Sequence, residues 1–153
     1  MSELHTMAGH LVRRLNQISV AVFSEHMARL GIDLTPVQFA ALTTINETPG
    51  MDQASLAGAI AYDKATLGGV VDRLAGKGLI EREKSQTDRR ARVLMITPDG
   101  KALLARTQPV VRALQDDILS GLDAAEKSQF LTLLAKTTAA GNTRSRAPLK
   151  PLA

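Results

Sequence analysis

The sequence predicts a mainly α-helical fold with one small β-hairpin, in the order α-α-α-α-β-β-α-α. Three observations lead there. Apolar residues recur at helical spacing in successive stretches along the chain. Helix-start chemistry at Thr35-Pro36, Thr97-Pro98 and Asp123 with Glu126 punctuates those stretches, as do glycine stops. Between Gly78 and Thr97 the pattern instead fits two short strands around a polar loop.

The first helix is expected from about Leu4 to Leu30, with Leu4, Met7, Leu11, Ile18 and Val22 on one stripe. Gly31 stops it, because glycine accepts a left-handed conformation. Thr35 caps the second helix, with Pro36 at its first position and Gln38 completing a capping box; this helix ends near Thr48-Pro49-Gly50. A short third helix follows Asp52 and carries Leu56, Ala57 and Ile60. After the turn Ala61-Tyr62-Asp63, Asp63 is expected to cap a fourth helix bearing Leu67, Val70, Val71 and Leu74 and closing at Gly78. Leu79–Arg82 and Arg92–Ile96 read as paired strands, with a hairpin loop between Lys84 and Arg90. Thr97-Pro98 opens a long fifth helix that Pro109 should bend, and Asp123 with Glu126 opens the last one. These elements divide into a lobe of about 35–98 and terminal helices of about 4–30 and 98–140, together one domain over 1–141. The Arg/Pro-rich tail 142–153 reads as basic and disordered.

Composition narrows the function. The chain has 153 residues, 44% hydrophobic and 22% charged, ordinary values for a globular domain. Its formal net charge is +4, a modest bias toward polyanionic partners. Without cysteine it has no disulfides, thiolate nucleophiles or Cys-based zinc sites. No apolar run is long enough to span a bilayer, and the N-terminus lacks the regions of a signal peptide, so a cytoplasmic location is expected. His5, His10 and His26 fall in no catalytic or metal-binding pattern, and no cofactor, metal site or catalytic residue is expected. Aromatic residues are limited to Phe23, Phe39, Phe130 and Tyr62, too few for a base-stacking platform. A nucleic-acid partner would therefore be duplex DNA.

Helix, turn, helix, strand, basic loop, strand is the outline of a winged helix-turn-helix. On the fourth helix, Lys64, Thr66, Gly68, Gly69 and Arg73 lie off the apolar stripe, and the first turn holds Lys64 and Thr66, where base edges are reached in this motif. Two explanations of the paired glycines stay open, a close approach to DNA and close helix packing. Lys84, Arg89, Arg90 and Arg92 crowd the hairpin loop and its edges, where the loop's one acid is Asp88, placed to hold Arg90. An arginine on such a loop suits the narrow minor groove. Ser55, Lys64, Thr66, Gly68, Gly69, Arg73, Asp88, Arg89 and Arg90 form the expected DNA-binding set. The rival readings are an enzyme and a winged helix that serves only protein interactions.

Leu56-Ala57, Asp63 to Leu74, Gly78 to Arg82 and the run Asp88 to Gly100 together resemble the MarR family of bacterial transcription regulators. The family's wing signature matches Asp88, Arg90, Ile96-Thr97 and Gly100. The resemblance covers roughly residues 5 to 140. It implies a homodimer joined through the terminal helices, with two recognition helices in successive major grooves of a pseudo-palindromic operator and two wings in the flanking minor grooves. Repression is the commoner outcome in the family, and the missing cysteines exclude thiol-based sensing.

An effector is the remaining expectation. His10, Arg14 and Gln17 share one stripe of the first helix beside Met7, Leu11 and Ile18, and arginine grips a carboxylate in a bidentate fork. Gln38 and Phe39 are expected to supply a second wall. A plain surface role for Arg14 and a packing role for His10 stay open. The run Leu11-Val12-Arg13-Arg14 with Gln17 and Phe23 resembles first helices of family members that regulate aromatic-acid breakdown, of hydroxybenzoate and nicotinate type. That resemblance implies a small aromatic carboxylate, bound between the dimer helices and the DNA-binding lobe.

Overall fold

The computed structural model describes residues 1–152. A 3-10 turn, Glu3–Thr6, precedes α1 (Ala8–Arg29); then come α2 (Pro36–Glu47), α3 (Gln53–Ala59), α4 (Lys64–Gly76), β1 (Ile80–Lys84), β2 (Arg92–Ile96), α5 (Pro98–Ile118) and α6 (Ala124–Ala140). The order is the expected one. The first helix is shorter than its apolar stripe implies, because Met7 is extended (φ −73°, ψ 134°) and separates the 3-10 turn from α1.

Caps set the boundaries. Thr35 Oγ1 accepts from the Gln38 amide while Gln38 Oε1 accepts from the Thr35 amide, the reciprocal box that starts α2. Asp123 and Glu126 build the same box for α6. Thr97 Oγ1 accepts from the Gly100 amide and also donates to the Gly78 carbonyl (2.6 Å), tying the start of α5 to the end of α4. Asp63 departs from expectation. It occupies the N-cap of α4 with no side-chain cap bond, and its carboxylate faces Arg146, 3.8 Å away. α5 continues as one helix through Pro109.

Most of the core lies in the lobe, and Phe23 and Met27 of α1 and Leu104, Val111 and Leu114 of α5 extend it. Leu42, Ile45, Leu56, Leu67, Val71 and Leu74 are all fully buried, from α2, α3 and α4. Burial of this kind contributes roughly 1.5–3 kcal/mol per large side chain. β1 and β2 pair antiparallel from Ile80 opposite Ile96 to Lys84 opposite Arg92. Met51 adds a one-residue bridge on the other side of β2, where the Leu94 amide donates to the Met51 carbonyl at 2.8 Å. Gly100 sits against this hairpin so closely that a Cβ there would lie 2.2 Å from the Leu79 carbonyl oxygen. Only glycine lets α5 start at that point.

The tail differs from the expectation of disorder. Asn142–Arg144 form a 3-10 turn. The Asn142 side chain donates to the Leu149 carbonyl (3.0 Å) and accepts from the Leu149 amide (2.8 Å), closing the loop between them. The Arg/Pro-rich composition reads as disorder, but Asn142 and Ser145 here supply turn bonds. Residue 153 lies outside the described residues.

Candidate nucleic-acid interface

α4 presents two faces, as its sequence requires. Leu67, Val70, Val71 and Leu74 are buried, Lys64, Thr66, Gly69 and Arg73 are exposed, and Gly68 is half-buried. Thr66 is exposed, and its hydroxyl donates to the Asp63 carbonyl at 3.1 Å, which leaves its oxygen free to accept. Packing does not demand the glycine pair. A Cβ on Gly68 would meet Gln53 Nε2 at 3.6 Å and one on Gly69 would meet Arg73 Nη1 at 3.7 Å, both ordinary contacts. Each glycine weakens the helix by roughly 1 kcal/mol relative to alanine. Close packing within the chain, one of the two readings of the pair, is therefore not what requires them.

α3 is opened by its own cap. Asp52 Oδ1 accepts from the Ser55 amide at 2.7 Å, and this bond holds the Asp52 carboxyl below its ordinary value. Ser55 itself is exposed near the start of α3.

The wing is organised by its backbone. Asp88 Oδ1 accepts from the Arg90 main-chain amide at 3.0 Å, and the Asp88 carbonyl accepts from Ala91 at 3.1 Å. Ser85 Oγ accepts from the Thr87 and Asp88 amides. Asp88 thus holds Arg90 as expected, through the Arg90 main-chain amide. Lys84, Arg89, Arg90 and Arg92 are all exposed. The loop is thus shaped before any partner arrives, and its cations point into solvent. Sequence reasoning missed the tie between wing and helix, an ion pair from Arg82 on β1 to Asp72 on α4. The two are ten positions apart, and the turn at Gly78 between α4 and β1 brings them together.

The expected effector residues do not converge within one chain. His10 lies against His5 (ring centroids 5.5 Å apart) and within 3.4 Å of Arg13 Nη2. Arg14 flanks a cleft of about 350 Å³ that includes Leu11, Leu15, Ile18, Ile118 and Phe130. Gln17 is exposed outside that lining. Gln38 is buried and already used, accepting from the Thr35 amide and from Lys77 Nζ at 3.2 Å each. Phe39 packs on Phe23 (centroids 6.1 Å apart). Phe23 is about 20 Å along α1 from His10, at a 1.5 Å rise per residue. The capping box explains the miss at Gln38, because the amide that completes the box is not free to line a pocket.

Fold and site define a winged helix-turn-helix protein that binds DNA. The family model for MarR matches residues 34–91. The chain is 32% identical over 133 residues to the transcriptional regulator HosA of Escherichia coli, covering 87% of this chain and 96% of that one. It therefore belongs to the MarR family of transcription regulators. Among solved structures, it is similar to BpsR of Bordetella bronchiseptica, whose DNA binding is regulated by 6-hydroxynicotinic acid (TM-score 0.82, 30% identity, 90% of this chain and 97% of that one). It is also similar to the transcriptional repressor CouR bound to a 23-mer DNA duplex (TM-score 0.78, 30% identity, 91% and 96%). No described helix is long and apolar enough to cross a membrane.

Proposed function

We propose that this protein is a repressor that binds a pseudo-palindromic operator as a homodimer and releases it when a small aromatic carboxylate binds. Ser55, Lys64, Thr66, Gly68, Gly69 and Arg73 would face the major groove and its phosphates, and Arg89 and Arg90 the adjacent minor groove, with Asp88 shaping the loop. The observation that carries the dimer is the unfinished apolar surface of the terminal helices. Val12 is 61% exposed, Leu131 52% and Leu133 53%, and no residue of α6 is buried. A second copy of the chain would cover that surface.

The effector reading rests on Arg14 at the mouth of its apolar cleft. A guanidinium beside an apolar wall matches a planar acid with one anionic edge. BpsR's response to 6-hydroxynicotinic acid supports the same ligand class here. Such a ligand releases DNA only if it favours the spacing of the two lobes that does not fit the operator. Calorimetry across benzoates, hydroxybenzoates, cinnamates and nicotinates should find a binder that lowers operator affinity, and Arg14→Ala should lose the response while still binding DNA. If no compound binds, or Arg14→Ala responds as wild type does, the effector assignment is wrong.

A further inference from the structure

The segment after α6 runs back onto the helix-turn-helix. The Lys150 amide donates to the Gly58 carbonyl in α3 at 2.8 Å. Lys150, Pro151 and Leu152 border a hollow with Asp52, Ala54 and Ser55 at the start of α3. Arg146 lies 3.8 Å from Asp63, the residue that opens α4. The segment therefore passes from the start of the recognition helix to the start of the helix before it.

Gly58 records the docking in the sequence. Its backbone is helical and its φ is not positive, so conformation does not require glycine there. A Cβ at that position would lie 3.0 Å from Lys150 Cβ. The close passage of the tail accounts for a residue that otherwise weakens a short helix. The main-chain bond from Lys150 to Gly58 and the long Arg146–Asp63 pair tie the tail to the lobe, and the Asn142 clamp closes the tail on itself, so Arg144 and the Lys150 ammonium are left out of these ties. Arg144, Arg146 and Lys150 are exposed, Arg146 at 86% of its side chain. No acidic residue follows Glu126 in the chain. The acids that face this segment are Asp52 and Asp63, and Arg146 offsets the one at the start of α4.

We infer that the tail is part of the DNA-binding surface, with Arg144, Arg146 and Lys150 gripping operator phosphates beside the helix-turn-helix. The inference rests on the reading that α3 and α4 face DNA. Phosphate contacts strengthen binding to any duplex and steepen its salt dependence, by about 0.9 in log–log slope for each contact.

The test uses the full chain and a duplex selected in vitro with it, alongside a scrambled duplex, titrated by fluorescence anisotropy at several salt concentrations. The triple substitution Arg144→Gln, Arg146→Gln, Lys150→Gln should weaken binding to both duplexes by about tenfold or more, with a salt slope shallower by about two or more. Gly58→Leu, which keeps all three cations but displaces the tail, should weaken binding in the same direction and less. Unchanged affinity and slope in the triple variant would overturn the inference. So would tighter binding, which would make the tail a strap that covers the site. Wild-type affinity in Gly58→Leu would show that the docked position is not the one used on DNA. Arg90→Ala is run in parallel. If it weakens binding while the triple variant does not, the tail inference alone fails. If wild type binds neither duplex, the reading of the face fails with it.

Discussion

The lobe and the terminal helices use apolar residues in opposite ways. In the lobe, Leu42, Ile45, Leu56, Leu67 and Leu74 reach full burial within one chain. On α1 and α6, Leu11, Val12, Ile18, Leu131 and Leu133 stay between 44% and 61% exposed. Both regions have the helical periodicity of buried faces, yet within one chain the lobe buries its stripe while α6 and much of α1 do not; Phe23 and Met27 of α1 and Leu104, Val111 and Leu114 of α5 join the lobe's core. The lobe thus buries its apolar residues within one chain and carries the residues proposed to contact DNA, while α6 and the outer face of α1 leave apolar surface that a second copy would cover.

The comparison breaks most severely on deletion of residues 124–153. Loss of α6 should leave monomeric or insoluble protein without affinity for a two-fold operator, as read by sedimentation and gel shift. A stable dimer that still binds DNA would remove α6 from the interface. Next in size is Leu74→Ala, which cuts into the closed core and should cost about 2–5 kcal/mol in urea unfolding. Leu131→Gln acts on the unfinished face instead. It should leave the lobe folded and shift the monomer–dimer equilibrium toward monomer by about tenfold or more.

Smaller effects belong to the proposed DNA face. Arg90→Ala should weaken operator binding by about 1–3 kcal/mol and lower the salt slope by about 1, with the dimer intact. Thr66→Ala should change sequence preference in a selection experiment more than Arg73→Ala does, because Thr66 stands in the first turn of α4 and Arg73 near its end. The smallest change is Gly69→Ala. The free protein should gain about 1 kcal/mol, since a Cβ fits there. A simultaneous loss of DNA affinity would identify close approach of the duplex as the reason for glycine. Unchanged affinity would leave Gly69 without a role at the interface.

What the sequence made legible was local. Thr35, Thr97 and Asp123 act within three residues, so their caps could be read from spacing, and the core stripe of α4 follows from the helical repeat alone. The features it did not reveal depend on distant parts of the chain. Met51 joins the wing only because α2 delivers it beside Leu94, and Arg82 meets Asp72 only because β1 turns back along α4 after Gly78. Asp63 reads as a cap, but its carboxylate faces a tail arginine 83 positions away by numbering. Gly58 looked like any other glycine until the tail lay across it. At the candidate site, exposed cations were readable as a cluster, whereas the Asp88 turn that shapes them depends on main-chain bonds that composition does not specify.

The most direct test of the central claim is the stoichiometry and footprint of the full chain on a duplex selected with it. Sedimentation of the complex should give two chains per duplex. Hydroxyl-radical cleavage should show two-fold symmetric protection, with minor-groove protection at the outer edges that disappears in Arg90→Ala. One chain per duplex, or protection that is asymmetric and unchanged in Arg90→Ala, would contradict the account of a dimer reading two half-sites with a wing on each flank.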